Sequence, residues 1–365
     1  MKSVYIIFST LDIGGAEKRF TGLWKSFQNT YGSILKVKLV VNPPLYNRLL
    51  ELNEIKTDDE NIIVTRLQGN NFREYRKNVR SVINKFTSPN DIIHFIGVSP
   101  LLNLDKRKVL FSVTNSNLNL GGKNNKRVIL LSSLLADTID VLDPGIFNKF
   151  QSYFFWKRKN IFKTPNSFCD TNLFQPLPFE QKKDWVVFLG RFTAVKQVEQ
   201  IVYALPAVFE KLKVLGKEDV RFFLLGYGDL SEKITAILKS PEYISLPITC
   251  KFEKEPHKIL NTSKVFVSLQ LYNNYPSKSL LEAMATGNIP LVTDVGQSRW
   301  IAKPNFSYYV PENFTKEELA KAIADIFSLD KTQWKEKMSA ARQLVLEEHT
   351  IYKMKNYYKD IYEAM

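Results

Sequence analysis

A chain of 365 residues is too long for a single compact core and predicts two domains of ordinary size. Its 44% hydrophobic and 24% charged residues are globular values and exclude a largely disordered chain. No apolar run approaches the roughly 20 residues of a membrane span, and residues 4–8 are too short for a signal-peptide core. Cys169 and Cys250 lie far apart without metal-ligand spacing, so we expect a reducing, cytoplasmic compartment.

The net charge of +14 is distributed unevenly along the chain. Residues 1–175 contain 25 Lys and Arg against 14 Asp and Glu, or +11, whereas the remaining residues contain 26 against 23, or +3. A basic half predicts a polyanionic partner, such as nucleic acid, an acidic membrane surface or a phosphorylated acceptor. A generally solvated basic surface is the alternative.

In the first half, short apolar runs alternate with segments of helical periodicity. The predicted strands are 4–10, 34–41, 61–64, 91–97, 108–114 and 138–142. A helix is predicted to open at GGAE (14–17), and another covers 72–86, where the apolar residues share one face. Strands and helices that alternate without tight hairpins indicate a parallel sheet covered on both faces.

The alternation restarts after 164–184, a stretch whose Pro, Asn and charged residues are typical of an interdomain connector. The next predicted strands are 184–190, 220–226, 244–250, 264–270 and 288–294. We therefore predict an α/β chain of two doubly wound, Rossmann-like domains, 1–170 and 171–345, followed by a C-terminal segment, 346–365. Such sheets bind ligands at the carboxyl ends of their strands, so two facing edges would form a cleft.

Several predicted strand ends carry residues suited to a phosphorylated ligand. Gly14 and Gly15 follow the first strand and permit close backbone approach, although a structural turn explains them equally well. Gly190 and Arg191 end a later strand, and Lys196 lies five residues beyond the arginine. Two cations at such a position suit a diphosphate, whereas solvated surface charges are the simpler alternative.

Two further segments end or follow predicted strands. Gly226 and Gly228 again permit close backbone approach. Between 273 and 292, a short helix begins near Ser277 or Ser279 and contains Glu282. Ser279 and Glu282 match the S-x-x-E capping box, so Glu282 either caps the helix or faces a ligand. The free N–H groups at the start of this helix favour an anion.

Together these segments resemble glycosyltransferases of the GT-B fold, most closely the family 4 group of retaining sugar transferases (group 1). The resemblance is carried by Gly190-Arg191 with Lys196, by the 226–228 turn, and by YPSKSLLEAMATGNIP at 275–290. The connector at 165–176 and GGAE add weaker similarity. The resemblance spans most of the chain but is specific only from about 164 to 303. It implies that the C-terminal helix crosses back to the N-terminal domain.

The resemblance assigns roles to individual residues. Arg191 and Lys196 would bind the donor diphosphate and stabilise its developing charge, helped by the backbone N–H groups of Lys278, Ser279 and Leu280. Glu282 would hold the ribose hydroxyls of the nucleotide. The donor-binding glycines implied are Gly14 and Gly15 from the opposite domain, together with Gly190, Gly226 and Gly228.

Two positions depart from the family pattern. Where the family has an acid beside the transferred sugar, this chain has Asn274, preceded by Asn273. The resemblance implies a catalytic role for Asn274 and a contact of Asn273 with the sugar or the acceptor. The amide of Asn274 can hydrogen-bond sugar hydroxyls but lacks the negative charge, so we expect an altered donor or a lower activity. The family often places a histidine near the sugar. Here His94, on an apolar strand, is the only histidine of this half, and a core position is its more ordinary role.

The implied activity is retaining transfer of a hexose from a nucleotide-diphosphate donor, UDP or GDP, to a saccharide acceptor. The resemblance places this reaction in bacterial surface polysaccharide synthesis (capsule, O-antigen or exopolysaccharide), with lipid-pyrophosphate-linked acceptors at the cytoplasmic face of the inner membrane. No metal and no cofactor are expected, and no D-x-D triplet occurs in the sequence. The cations of 72–86 and the aromatic and basic residues of 152–163 suit contact with an anionic membrane, or are simply solvated.

Three other functional classes are weighed against this one. A GT-B-type nucleotide-sugar epimerase would share the fold and differ in its product. A non-enzymatic polyanion-binding protein would account for the charge, but no nucleic-acid-binding module is visible, so nucleic acid is not expected as a partner. An NAD-dependent enzyme needs a G-x-G-x-x-G sequence after its first strand, and neither domain has one.

Overall fold

A computed structural model describes residues 2–31, 35–101, 104, 107–114, 122–165, 167–273 and 275–365, and at 122–125 the backbone alone. The chain divides into two compact units. The first comprises Met1–Ser167 with Ile351–Met365, and the second is Phe168–Thr350. The first boundary, after residue 167, lies three residues before the predicted one, and the second, after residue 350, lies five residues beyond the predicted one.

The first unit contains a seven-stranded parallel sheet in the order β3-β2-β1-β4-β5-β6-β7. Its strands are β1 (Ser3–Phe8), β2 (Lys36–Val41), β3 (Ile62–Val64), β4 (Ile92–Ile96), β5 (Lys108–Val113), β6 (Thr138–Val141) and β7 (Ile161–Lys163). Its helices are α1 (Gly15–Tyr31), α2 (Pro43–Glu51), α3 (Phe72–Phe86), α4 (Gly122–Leu135), α5 (Pro144–Tyr153) and the last helix of the chain, α13 (Ile351–Ala364).

Helix α3 shows how the local sequence specifies these elements. The side chain of Asn71 accepts a hydrogen bond from the N–H of Glu74 and so caps the helix. Val79 and Ile83 are completely buried on one face, as the spacing predicts. Phe72 and Phe86, at the two ends of the same stripe, are partly exposed because the sheet does not cover them.

The second unit contains a six-stranded parallel sheet in the order β10-β9-β8-β11-β12-β13. Its strands are β8 (Trp185–Leu189), β9 (Arg221–Leu225), β10 (Ile248–Lys251), β11 (Val265–Ser268), β12 (Ile289–Thr293) and β13 (Tyr308–Val310). Its helices are α6 (Val198–Val214), α7 (Ser231–Leu238), α8 (Pro256–Thr262), α9 (Lys278–Ala285), α10 (Ser298–Ile301), α11 (Lys316–Phe327) and α12 (Lys331–Glu348).

Both units are α/β layers with a buried parallel sheet, as the sequence predicts. The central strands β1, β4, β8 and β11 are almost entirely buried, which is why they read as continuous apolar runs. Within the described residues, no helix is both long and apolar enough to cross a bilayer.

Candidate active site

In the second sheet, strand order reverses direction between β8 and β11. Strands β9 and β10 extend from one side of β8, and β12 and β13 extend from the far side of β11. Such a switch point leaves a crevice at the carboxyl ends of the two central strands, where α/β sheets bind ligands. Gly190 and Arg191 directly follow β8, and residues 269–273 directly follow β11. Most of the predicted donor residues therefore lie at or beside this point.

Lys196 is held between the two loops of the switch point. Its Nζ donates a 3.0 Å hydrogen bond to Oε1 of Gln270, the buried residue just beyond β11. Burial, with the nearby Arg191 charge as a second cause, lowers the pKa of Lys196 to about 8. Neither cause of this shift is a carboxylate, and a diphosphate would supply a negatively charged partner for the amine.

Arg191 is exposed at the end of β8, and the Lys196 charge lies close enough to interact with it. Among the described residues, no hydrogen bond or carboxylate pairing involves the Arg191 guanidinium. Two neighbouring cations, of which Lys196 is bonded to an uncharged amide oxygen, form a site that favours an anion. The structure thus brings Arg191 and Lys196 near each other, and their binding of a diphosphate stays a prediction.

Helix α9 begins at the same edge of the sheet, after β11. Ser277 is its N-cap residue, but the Ser277 side chain makes no capping bond and instead lies 3.4 Å from the Ser279 hydroxyl. In the described part of the chain, the N–H groups of Lys278, Ser279 and Leu280 have no hydrogen-bond acceptor. A small cavity of about 30 Å³, lined by Gln270, Ser277 and Leu280 among others, lies beside this helix end.

The capping interpretation of Glu282 is wrong. With Ser277 as N-cap, a capping-box acid would occupy the third helical position, which is Leu280, whereas Glu282 is the fifth residue of the helix. Its carboxylate lies 3.8 Å from the Lys278 ammonium and close to the buried Cys169 thiol. Burial, then the Glu282 charge, raises the pKa of Cys169 well above its ordinary value. Glu282 therefore lies in the second turn of α9 and does not cap the helix.

Gly226 and Gly228 are required by backbone packing. Both have positive φ, at +155° and +158°. A Cβ on Gly226 would lie 1.9 Å from the carbonyl oxygen of Gly190, and a Cβ on Gly228 would lie 2.6 Å from that of Phe192. The loop after β9 thus supports the loop that carries Arg191, and this contact accounts for both glycines without a ligand.

Of the two asparagines before α9, Asn273 orders the loop in which it lies. The Asn273 side-chain oxygen accepts hydrogen bonds from the N–H groups of Tyr275 and Gln297, at 3.2 and 3.1 Å, which orders the loop. Its predicted contact with sugar or acceptor stays a prediction. Asn274, predicted to be catalytic, lies outside the described residues.

The first unit has a pocket of its own at the corresponding switch point, between β1 and β4. The pocket encloses about 540 Å³, and its lining includes Ser9 and Thr10 after β1, Gly97 after β4, and Tyr75 of α3. Among the lining residues, only Glu17 carries a formal charge. The pocket therefore presents hydroxyl, amide and aromatic groups, which suit an uncharged polar ligand.

Glu17 also orders the glycine loop beside this pocket. Its carboxylate accepts hydrogen bonds of 2.9 Å from the Thr10 hydroxyl and from the N–H of Gly14. At Gly15, a Cβ would meet no atom within 4 Å. The loop is thus fixed by Glu17, and the space beside Gly15 is open.

The predicted sugar contact of His94 is corrected by its burial. The imidazole is completely buried, and its nitrogens lie 2.8 Å from the Tyr362 hydroxyl and 2.7 Å from the Ser112 hydroxyl. Burial lowers its pKa well below the ordinary value. His94 is therefore neutral and structural, because α13 covers this face of the first sheet.

Sequence reasoning missed the residue at the centre of this buried cluster, Asp140. Its carboxylate accepts hydrogen bonds from the hydroxyls of Ser112, Thr164 and Tyr358, at 2.6 to 2.8 Å, and also from Tyr357. An aspartate in the middle of the apolar run TIDVL was the available signal, since a buried carboxylate needs several donors.

Comparisons with known proteins agree with this architecture. Residues 170–345 match the sequence model of the family described as Glycosyl transferases group 1. No curated protein sequence matches the chain significantly. The structure is similar to that of HepE from Anabaena in complex with UDP and glucose, with a TM-score of 0.78 and 14% identity over 100% of both chains.

Two further solved structures are similar over their whole length. A mutant of TarM from S. aureus, in complex with fondaparinux, alpha-GlcNAc-glycerol and UDP, has a TM-score of 0.74 at 11% identity, covering 99% of this chain and 100% of its own. Sucrose-phosphate synthase from Thermosynechococcus elongatus has a TM-score of 0.73 at 15% identity over 100% of both chains. At such low identity, these likenesses establish the fold.

Proposed function

Residues 170–345 belong to the glycosyl transferases group 1 family, and the chain is a glycosyltransferase with the GT-B fold. We therefore propose that it transfers a hexose, with retention of configuration, from a nucleotide-diphosphate donor to a saccharide acceptor. The observation that carries the proposal is the convergence at the β8/β11 switch point. Arg191, Lys196 and the first-turn N–H groups of α9 all lie there, with Glu282 one turn further along the helix.

In the proposed reaction, the donor diphosphate leaves as the glycosidic bond breaks, and negative charge grows on its bridging oxygen. The Arg191 guanidinium and the Lys196 ammonium lie where they can stabilise that charge. The first-turn N–H groups of α9 add to it, and fixed donors of this kind contribute about 3 kcal/mol each in a site that excludes water. We propose that these groups act without a metal ion, so transfer is expected to persist in the presence of EDTA.

The Glu282 carboxylate is proposed to accept hydrogen bonds from the ribose hydroxyls of the donor nucleotide. Its place on α9 one turn beyond the N-terminal N–H groups, rather than at the helix cap, supports this role. UDP is the first nucleotide to test, because the HepE and TarM complexes contain UDP, and GDP is its comparator. Asn274 is proposed to contact the transferred sugar through its amide.

The acceptor is proposed to bind in the 540 Å³ pocket of the first unit. Hydroxyl, amide and aromatic groups are the ones that recognise a sugar ring, and the lining lacks the cations that a free anion would need. The reaction is proposed to serve bacterial surface polysaccharide synthesis on lipid-pyrophosphate-linked acceptors, at the cytoplasmic face of a membrane. In that arrangement the sugar would enter the pocket while the charged lipid part remains outside it.

The test is calorimetric binding of UDP, GDP and their sugar derivatives to the wild type and to Glu282→Ala. We expect micromolar affinity for one nucleotide and a loss of about tenfold or more in the variant, as for a lost charge-assisted hydrogen bond. The matched control is Asp325→Ala, which removes the acid of another i,i+4 lysine pair, Lys321–Asp325 on α11.

Absence of binding to every nucleotide would contradict the donor site, and so would equal losses in Glu282→Ala and Asp325→Ala. With the bound nucleotide identified, product analysis on a panel of saccharides separates transfer from epimerisation. Release of an epimer or of free sugar, with no transferred product, would overturn the transferase assignment in favour of an epimerase.

A further inference from the structure

Helix α4 presents leucines to solvent, while its buried side carries two serines between Ile129 and Ala136. Leu131, Leu134 and Leu135, spaced i, i+3 and i+4, form one stripe and are each 44–47% exposed. Ser132 and Ser133 are buried, and their hydroxyls donate to carbonyl oxygens four residues earlier in the helix. A surface helix ordinarily keeps its leucines on the buried side, so three leucines in one solvent-facing stripe favour a ligand or partner that covers them.

Exposed aromatic side chains lie beside this stripe. A 3₁₀ turn, Phe155–Asn160, follows α5, and its Phe155 and Trp156 are 65% and 58% exposed. Lys157, in the same turn, donates to the carbonyl oxygens of Ser133 and Leu134 at 3.5 and 2.8 Å, and also to that of Ala136. These bonds fix the turn against the end of α4. We call the resulting surface the leucine–aromatic patch, which comprises Leu131, Leu134, Leu135, Tyr153, Phe155 and Trp156.

The surroundings of the patch are positively charged. The described side chains of residues 126–163 include seven cations, Lys126, Arg127, Lys149, Lys157, Arg158, Lys159 and Lys163, against three acids. Of the acids, Asp140 and Asp143 are buried, and Asp137 lies 3.7 Å from the Lys108 ammonium. Arg127 lies four residues before Leu131, on the exposed side of α4, and Lys159 is exposed in the turn.

We propose that the leucine–aromatic patch inserts into the headgroup region of a bilayer that contains anionic lipid. Exposed leucines next to Trp and Tyr, with Lys and Arg around them, are the composition of an interfacial membrane anchor. Each cation near an anionic surface strengthens such binding severalfold. This inference rests on the part of the proposed function that places the chain at a membrane.

A second copy of the chain is a poorer occupant for the patch. A two-fold dimer would bring the same patch of each copy together. The cations around the two patches would then repel each other. An anionic bilayer neutralises that charge while it covers the leucines. The positive charge around the patch thus favours an anionic bilayer over a second copy of the chain as its partner.

The experiment is co-sedimentation of the full chain with two kinds of vesicle, one of phosphatidylcholine alone and one of equal parts phosphatidylcholine and phosphatidylglycerol. We expect binding to the mixed vesicles, at least tenfold weaker binding to the neutral ones, and weakening by salt. The double variant Leu134→Ser/Trp156→Ser and the charge variant Arg127→Glu/Lys159→Glu should each lower the partition coefficient about tenfold or more.

The control for the apolar change is Val214→Ser/Ile244→Ser, which removes two apolar side chains that are 83% and 74% exposed elsewhere. Lys211→Glu/Lys213→Glu on α6 is the control for the change of charge. Because the measurement needs neither donor nor acceptor, its failure leaves the transferase proposal standing, and failure of that proposal leaves vesicle binding measurable. No binding to the mixed vesicles, equal losses in patch and control variants, or a dimer abolished by Leu134→Ser/Trp156→Ser would overturn the inference.

Discussion

Lys196 combines three properties that make its charge sensitive to a ligand. It is held by one carbonyl oxygen of Gln270, it lies near Arg191, and its pKa is lowered to about 8. A bound diphosphate favours the ammonium form and so raises this pKa. Protons are then taken up on binding at a pH where the free amine is partly neutral.

The consequence is a defined pH dependence of nucleotide affinity. Below about pH 7 the amine is already charged, so Lys196 should add no slope to the affinity there. Above about pH 8 the free protein must gain a proton to bind, and affinity should fall, by up to tenfold for each pH unit. Calorimetric titration of the nucleotide between about pH 6.5 and pH 9 measures this slope.

Lys196→Gln is the control for this prediction. The variant should bind more weakly, and its affinity should lack the extra slope, because titration of the nucleotide itself is common to both proteins. Identical slopes in wild type and variant would place the diphosphate away from Lys196.

At the scale of single elements, the loop after β9 supports the loop after β8. Gly226→Ala would place a methyl group 1.9 Å from the Gly190 carbonyl oxygen, at a φ of +155° that side chains rarely adopt. We expect the second unit to lose about 2 kcal/mol or more of unfolding free energy, and the Tm to fall by several degrees. Thermal unfolding followed by calorimetry checks the change.

Gly15→Ala is the informative counterpart at the start of α1. A methyl group there meets no atom of the protein, and alanine favours the helix, so the Tm should stay the same or rise slightly. If the space beside Gly15 receives the donor, the variant should nevertheless show a higher KM for the nucleotide sugar. A fall in Tm with Gly15→Ala, or none with Gly226→Ala, would contradict this division between a ligand glycine and a packing glycine.

Most strands and helices could be predicted from the sequence because the two sheets are buried on both faces. Central strands such as β1 and β8 are uninterrupted apolar runs, and their ends could be placed within two residues. The strands β7 and β13 were missed, and each has only three residues at a sheet edge. The equally short edge strand β3 was predicted because Ile62–Val64 is entirely aliphatic, whereas β7 ends in a lysine and β13 begins with two tyrosines. The predicted strand at 244–250 begins only at Ile248.

The candidate site could be predicted where residue type and strand end coincide, as at Arg191 and Lys196. It could not be predicted where contacts join distant parts of the chain. The sequence left the cap of α9 open between Ser277 and Ser279. The choice of Ser277 removes Glu282 from a capping box, and it follows from how α9 packs. The burial of His94 depends on Tyr362, which lies 268 residues away in the sequence.

At the scale of the whole molecule, the last helix belongs to the first unit, although it follows the second in the chain. Helix α13 buries Met354, Tyr358, Ile361 and Tyr362. The Tyr358 hydroxyl lies 2.6 Å from the Asp140 carboxylate, and burial with the Asp140 charge raises its pKa well above the ordinary value. The stability of the first sheet is thus linked to the C-terminal 15 residues.

Tyr358→Phe tests this link. The substitution leaves the buried Asp140 carboxylate with one donor fewer, at a cost of about 1 to 3 kcal/mol to the first unit. Hydrogen exchange read by mass spectrometry should show faster exchange in β4, β5 and β6, with the amides of β8, β11 and β12 unchanged. Tyr352→Phe, on the same helix but 64% exposed, should alter neither set. Equally faster amide exchange in both units would show that α13 stabilises the chain as a whole. Unchanged exchange in β4, β5 and β6 would mean that Tyr358 contributes little to holding the helix on the first sheet.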